Sequence, residues 1–216
     1  MTDPADLADA NRRLRRAVLL CVAFVVLLWW VKMAETLAGV DLTQFGVYPR
    51  RFGGLLGIPV APLIHGSVGH LFSNSLPLIL LGTALMYGYP KSARVVLPVL
   101  FLGTGLGIWL FGRASYHVGA SGITFGMMFF VFVVGALRWD RRAIALSCAV
   151  FFLYGGMVWG VFPGEPQVSH EAHASGAVLG ALLAVLLRKL DPLPVEKRYS
   201  WEGEEADPDG EDWAER

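Results

Sequence analysis

Six apolar stretches, each close to the thickness of a bilayer in length, constrain this chain more than any other feature. A transmembrane helix needs about 20 predominantly apolar residues, and one soluble domain can bury one or two such helices but not six. Charged residues make up only 17% of the chain, against about 25% in soluble domains. The sequence therefore predicts an all-α, polytopic membrane protein. The predicted helices are Ala17–Thr36, Val68–Gly88, Val95–Gly112, Ala120–Leu137, Ala143–Phe162 and Ala172–Leu187.

The basic residues predict how these helices are oriented. Thirteen fall at the two ends of the chain and in alternate loops: Arg12, Arg13, Arg15, Arg16, Lys91, Arg94, Arg138, Arg141, Arg142, Arg188, Lys189, Lys197 and Arg198. The other loops hold only three: Arg50, Arg51 and Arg113. Because cytoplasmic loops carry the excess of Lys and Arg, both termini are predicted to be cytoplasmic. We expect a multi-pass protein of the cell membrane, the plasma membrane of a bacterium.

The chain divides into three predicted parts. Residues 1–16 form a cytoplasmic N-terminal segment, residues 17–190 the six-helix membrane domain, and residues 191–216 an acidic cytoplasmic tail that we expect to be disordered. The first outer connection, residues 37–67, is long, rich in Gly and Pro, and still apolar. A solvated linker would be more polar, so this connection is predicted to lie at the membrane interface.

Polar residues at membrane depth are expensive and are therefore functional candidates. The second helix carries His70 and Asn74 near its outer end, and their i, i+4 spacing places them on one face. Ser121 lies at the outer start of the fourth helix and His173 at the outer start of the sixth. The topology, assigned from Lys and Arg alone, brings all four to the same depth and side. Each also has a structural interpretation: Ser121 as a small packing residue, Asn74 as a tie between helices.

Glycines favour a close contact between the fourth and sixth helices. Gly176 and Gly180 follow His173 at i+3 and i+7, so all three lie on one helix face. Gly122 and Gly126 give the fourth helix a matching small surface. Small residues at such spacing let backbones approach each other closely. A hydrogen bond between Ser121 and His173 needs that proximity.

Other candidates receive structural interpretations. The rings of His65 and His170 are interpreted as interfacial groups that reach water, and His117 as a solvated residue of a short outer loop. Cys21 and Cys148 both fall in apolar runs, which predicts two buried thiols and no disulfide.

Several chemistries are disfavoured by the residues. The stretch HEAH resembles the zinc protease motif HExxH, but its histidines are spaced i, i+3 instead of i, i+4. No Asp or Glu lies in a helix interior, which disfavours a third zinc ligand, an aspartyl dyad and a proton-coupled transporter. The nucleophile-elbow pattern G-x-S-x-G fails because Ile123 occupies its last position. A Ser–His pair without an evident acidic third member remains, and we expect neither metal nor cofactor.

Three motifs resemble, in their residues and in their order along the chain, the signatures of rhomboid intramembrane serine proteases. They are HxxxxHxxxN from His65 to Asn74, GASG around Ser121, and HxxGxxxG from His173 to Gly180. Their placement on the second, fourth and sixth helices also matches, and the resemblance spans roughly residues 40–187. It implies a six-transmembrane-helix rhomboid-like bundle with a long interfacial first outer loop.

The resemblance also implies roles for individual residues. It makes Ser121 the nucleophile, His173 the base, and His70 and Asn74 the oxyanion-binding groups, together with the Ser121 N–H. Phe125 occupies the place of an aromatic ring that packs on the histidine in the family. Supporting roles fall on four glycines: Gly119, Gly122, Gly176 and Gly180. One departure lies in the first outer loop, where family members often carry a Trp-Arg pair and this chain has YPRR, Tyr48–Arg51.

The function implied is cleavage of single-span transmembrane proteins near their outer ends by a serine endopeptidase. By resemblance, it prefers small residues at the cut and locally unstable substrate helices. The alternative is a non-catalytic rhomboid-like membrane protein that binds client helices for quality control. Relatives of that kind typically lack the serine or the histidine, and this chain has both. The expected partners are membrane-protein substrates and the lipid bilayer, not nucleic acid, and the oligomeric state is left open.

Overall fold

The computed structural model describes residues 4–164 and 168–191. Within these residues six helices are long and apolar enough to cross a membrane, which confirms the prediction of an all-α, multi-pass membrane protein. A one-turn helix, α2, lies in the connection after the first of them. The helices are α1 (Pro4–Ala38), α2 (Phe52–Leu55), α3 (Val68–Gly88), α4 (Pro90–Phe111), α5 (Ser121–Arg138), α6 (Arg141–Tyr154) and α7 (His170–Leu187), with 3₁₀ turns at Thr43–Phe45, Ala61–Leu63 and Gly155–Val161.

The first helix is longer than predicted at its N-terminal end. It begins at Pro4, so most of the predicted segment 1–16 continues the same helix. Asp9 forms ion pairs with Arg12 and Arg13 at i, i+3 and i, i+4, spacings that support an exposed helix. An apolar stretch marks only the part of a helix suited to the membrane, and charged residues extend the helix beyond it. The predicted tail, residues 191–216, lies outside the described residues except for Asp191.

Helix α5 forms the centre of the bundle. Of the residues in its apolar stretch 67% are buried, against 11% for the stretch formed by α6 and the following 3₁₀ helix. It packs against α3, α4, α6 and α7, and its Phe130, Val131 and Val134 belong to the main apolar core. Because Ser121 is the first residue of α5, the candidate nucleophile stands at one end of the most enclosed helix.

The connection between α1 and α3 is folded onto the end of the bundle that carries Ser121. Val47 and His117 form an isolated antiparallel bridge, with both backbone N–H groups donating to the partner's carbonyl. Arg50 donates from Nη1 to the carbonyls of Leu110 and Gly112 at the end of α4, at 3.3 and 3.0 Å. Backbone and side-chain hydrogen bonds thus hold the connection in place. Its position at the membrane interface stays a prediction.

The two cysteines differ in burial. Cys21 is buried and Cys148 is exposed, and both thiols are free. The expectation of free thiols is confirmed, whereas the expectation that Cys148 is buried is wrong. In a membrane protein an apolar run faces lipid as readily as it faces protein, so its composition does not reveal which side of the helix is inside.

Candidate functional site

Ser121 and His173 meet across the contact between α5 and α7. The Ser121 Oγ and the His173 Nε2 are 2.9 Å apart, and both residues are buried. The helices touch through backbone: a Cβ atom added at Gly176 would overlap the carbonyl of Gly122, and one added at Gly180 would overlap that of Gly126. Without side chains at these points, the two helices approach closely enough for a serine and a histidine to share a hydrogen bond.

The imidazole of His173 is held on its other side as well. Its Nδ1 lies 2.8 Å from the carbonyl oxygen of Gly160, in the 3₁₀ helix after α6. A carbonyl can only accept a hydrogen bond, so Nδ1 carries the proton and Nε2 presents its lone pair to the Ser121 hydroxyl. The Phe125 ring stacks on the imidazole with centroids 4.0 Å apart and planes 7° from parallel. A backbone carbonyl and an aromatic face therefore orient the imidazole of His173.

At the N-terminus of α5, the backbone N–H of Ser121 is a hydrogen-bond donor that no helical carbonyl accepts. The first backbone bond at this end runs from the Thr124 N–H to the Ala120 carbonyl, so the Ser121 N–H precedes the hydrogen-bonded turn.

Gly119, at φ +111°, makes the bend that leads into the helix. A Cβ atom there would press on the His70 ring, so the bend also brings His70 close to the chain before Ser121. The Asn74 Nδ2 donates to the His70 carbonyl at 3.2 Å.

Four predicted site residues face one cavity of about 990 Å³: Ser121, His173, His70 and Asn74. Phe125 contributes to the same wall, and Tyr154, Met157 and Gly160 close the side formed by the end of α6. The volume is sufficient for an extended peptide segment, and polar groups from three helices converge at its base. The arrangement combines a hydroxyl, a neutral imidazole and a free backbone N–H, which are the parts that acyl transfer requires.

Two histidines that we interpreted as solvent-facing are buried. His65 is 1% exposed, and its Nε2 accepts a hydrogen bond from the Ala120 N–H at 3.4 Å. Burial, with smaller contributions from the neighbouring His70 and Lys32, lowers the pKa of His65 to about 3. That residue is therefore neutral at physiological pH and able to accept. The interpretation of its ring as one that reaches water is wrong.

His117 is buried too, so its assignment as a solvated loop residue is wrong. Its Nδ1 lies 2.7 Å from the Ser169 Oγ, just before α7, and its Nε2 lies 3.1 Å from the Arg113 carbonyl. Burial is the largest effect on its pKa, which lies below the usual value for histidine. The residue ties the loop before α5 to the start of α7. Half-buried His170, in contrast, contacts the Arg113 guanidinium at 3.1 Å.

A buried ion pair of α1 is absent from the sequence prediction. Lys32 and Glu35 are 12% and 6% exposed, and their charged atoms are 2.8 Å apart. The Lys32 ammonium also donates to the His65 carbonyl at 2.9 Å. One signal was available, since Lys32 interrupts an otherwise apolar run and an ionisable residue at membrane depth needs a partner.

The geometry of the described residues defines a class of protein: a membrane protein with six helices long enough to cross a bilayer and a buried serine–histidine pair at one end of the central helix. A comparison with family models agrees, because the Rhomboid domain matches residues 53–190, more than half of the chain. The protein belongs to the rhomboid family. The match begins after α1, so that helix lies outside it.

Similar proteins occur in mycobacteria and in a plant. The uncharacterized protein Rv1337 of Mycobacterium tuberculosis is 36% identical over 176 residues, covering 77% of this chain and 73% of that protein. The uncharacterized protein ML1171 of Mycobacterium leprae is 33% identical over 194 residues, covering 83% and 75%. RHOMBOID-like protein 2 of Arabidopsis thaliana is 31% identical over 146 residues, covering 64% and 42%.

Proposed function

We propose that this protein is an intramembrane serine endopeptidase, with Ser121 as nucleophile and His173 as general base. The observation that carries the proposal is the 2.9 Å contact between the Ser121 Oγ and the His173 Nε2. With the proton on Nδ1, as the Gly160 carbonyl requires, Nε2 is the acceptor. A serine hydroxyl is a weak nucleophile unless an adjacent base takes its proton. An imidazole whose Nδ1 proton is engaged by the Gly160 carbonyl is arranged to do that.

The reaction follows from these positions. Ser121 Oγ attacks the scissile carbonyl carbon while its proton moves to the His173 Nε2, forming a tetrahedral oxyanion. His173 then donates that proton to the leaving amide nitrogen as the peptide C–N bond breaks, which leaves an acyl-enzyme. Water, deprotonated by the same histidine, attacks the ester carbonyl. The proton returns to the Ser121 Oγ as the ester bond breaks and the acid product leaves.

The surrounding groups stabilise the charges that appear during this sequence. The oxyanion is proposed to bind to the Ser121 N–H and to the side chains of His70 and Asn74, because fixed donors stabilise a developing negative charge. The imidazolium formed on His173 keeps its Nδ1–H bond to the Gly160 carbonyl and lies on the face of Phe125. The negative face of an aromatic ring attracts such a cation. Together these contacts take the part that a carboxylate plays in other serine proteases.

We propose single-span transmembrane proteins as substrates and a cut near their outer ends. The asymmetry of Lys and Arg between alternate loops supports cytoplasmic termini. By our proposal, Ser121 then lies toward the outer face of a cell membrane, the plasma membrane of a bacterium. Reporter fusions after Arg198 should then be active on the cytoplasmic side and fusions near Pro163 on the external side. The reverse pattern would move the site to the cytoplasmic face and change the substrate class.

The test of function is cleavage of a labelled single-span protein by the purified chain in lipid vesicles. Wild type should cut it, Ser121→Ala should not, and a chelator should have no effect. Ser147→Ala is a matched control, because Ser147 is as buried as Ser121 but donates to the Phe132 carbonyl. Cleavage that persists in Ser121→Ala and stops with the chelator contradicts the serine mechanism. Binding without cleavage by wild type would support the alternative, a non-catalytic protein that holds client helices.

A further inference from the structure

Helix α1 carries a buried ion pair that the reaction described above does not use. Lys32 and Glu35 lie one turn apart, with the Lys32 Nζ 2.8 Å from the Glu35 Oε2. Both side chains are almost completely enclosed, and α1 lies outside the matched Rhomboid domain. A buried ion pair seldom adds net stability, because desolvation offsets the attraction between the charges. The pair therefore requires an explanation other than the stability of α1.

Each charge of the pair also contacts the connection that follows α1. The Lys32 ammonium donates to the His65 carbonyl at 2.9 Å, and the Glu35 Oε1 accepts from the Leu42 N–H at 3.1 Å. Leu42 lies near the start of the connection and His65 near its end, just before α3. The pair thus fixes both ends of the connection to one turn of α1.

From His65 the contacts continue to the candidate site. The His65 ring accepts the Ala120 N–H at 3.4 Å, and Ala120 immediately precedes Ser121. The same ring lies edge-on to His70, with centroids 5.1 Å apart. One residue, held at its carbonyl by Lys32, therefore contacts both the backbone next to the nucleophile and a proposed oxyanion donor.

We propose that Lys32 and Glu35 are positioning residues, which act through His65 to set the Ser121 backbone N–H and the His70 ring where the oxyanion forms. This inference rests on the proposed function. An ammonium supplies three donors, enough to bind the carboxylate and the His65 carbonyl together. The bonds are charge-assisted and shielded from water, so they hold the carbonyl more firmly than an apolar contact would.

The decisive variant removes both charges: Lys32→Met together with Glu35→Met. Replacing a buried ion pair by apolar residues of similar volume is often neutral for stability. The loss of the bonds to the His65 carbonyl and the Leu42 N–H should therefore lower the unfolding temperature of this variant by only a few degrees. Its kcat should fall on the order of 10- to 100-fold with KM unchanged, because displacement of catalytic groups by about 1 Å has effects of that size. Faster hydrogen exchange at the Ala120 amide should accompany the loss.

Two further variants separate positioning from general destabilisation. Lys32→Arg keeps the charge pair but places its donors differently, so kcat should fall several-fold with the fold intact. Trp29→Phe is a matched control on α1, because it removes the 3.0 Å bond from the Trp29 Nε1 to the Ser75 Oγ and leaves His65 untouched. It should retain wild-type kcat. Should the double variant fail to fold, the Arg variant decides by the same two readouts.

Wild-type kcat and wild-type Ala120 exchange in a folded Lys32 variant would overturn the inference. A loss that appears only in KM would also overturn it, because it would place the pair in substrate binding. Failure of the proposed function has a different signature, since wild type and Ser121→Ala would then be equally inactive. In that event the exchange measurement still tests the link from Lys32 to Ala120.

Discussion

The α5–α7 side of the site and the α1–α3 side are held by different interactions. On the first side, Gly176 contacts the carbonyl of Gly122, backbone against backbone, and the serine and histidine come together above that contact. On the second side, the Lys32 ammonium, paired with Glu35, donates to the His65 carbonyl, and the His65 ring accepts from the Ala120 N–H. By our proposals, shape brings together the two groups that exchange a proton, whereas charge orders the groups that bind the oxyanion.

The difference has a physical origin. Lipid chains are as apolar as leucine, so apolar side chains give helices in a membrane little reason to prefer one another over lipid. Close backbone packing supplies attraction and proximity together, and it suits a hydrogen bond that must span two helices. A donor aimed at a developing charge must instead be fixed in direction, and a buried charged group does that at the cost of desolvation.

A single substitution on the α1–α3 side, where we propose that the oxyanion binds, should lower kcat more than one at the glycine contact of the α5–α7 side. If His70 acts in the transition state, His70→Ala should lower kcat about 10²–10³-fold with little change in KM, the usual loss when one oxyanion donor is removed. Asn74→Ala should follow the same pattern, and it also releases the hydrogen bond to the His70 carbonyl. Steady-state kinetics on the labelled substrate measure both. An effect confined to KM would reassign these residues to substrate binding or packing.

The glycine contact should be nearly as sensitive. Gly176→Leu adds a side chain where the Gly122 carbonyl already lies, so the helices must separate and kcat should fall by about 10²-fold. Membrane insertion should survive, since leucine is at least as apolar as glycine. Gly176→Ala should show a smaller loss.

A matched control for this contact is Gly103→Ala on α4. There the added Cβ meets the end of the flexible Leu179 side chain, which can move aside, so near-normal activity is expected. Near-normal cleavage by Gly176→Leu would remove the structural basis for pairing Ser121 with His173.

The smallest expected effect is the contribution of His65 to the pH dependence of folding stability. The pKa of His65 is about 3 in the folded chain and roughly 6.5 in the unfolded chain. As pH falls, the unfolded chain therefore binds a proton at His65 before the folded chain does. Stability from neutral His65 is present above pH 6.5 and is lost as pH falls toward 3. His65→Gln keeps an acceptor for the Ala120 N–H without titrating. Between pH 7 and 5 its unfolding temperature should fall less than that of wild type, and equal slopes would contradict this.

Part of this site could be predicted from the sequence because its residues recur at helical spacing. Ser121, His173 and the glycines below them are spaced at helical intervals, and helical spacing converts directly into a shared face. Phe125, expected from the family resemblance to pack on the histidine, stacks on its ring. The six helices followed from length and apolarity alone, because the bilayer fixes both.

The other contacts around the site are not marked by a comparable pattern in the sequence. The Gly160 carbonyl that orients His173 belongs to the backbone, so no residue type marks it. The bond from Lys32 to His65 joins residues 33 apart, across a connection without regular period. Burial of His65 and His117 depends on how that connection folds over the bundle, and an apolar neighbourhood in the sequence can mean either protein or lipid.

The most direct test of the serine–histidine pair is covalent labelling of the solubilised protein with a serine-directed phosphonate, read by mass spectrometry of the modified peptide. Labelling is expected at Ser121 in wild type and should be lost in His173→Ala, because the hydroxyl then has no base at 2.9 Å to accept its proton. The buried Ser147 should remain unmodified in both. Wild type that stays unlabelled at Ser121, or labelling that is equally fast without His173, would contradict an activated nucleophile at this position.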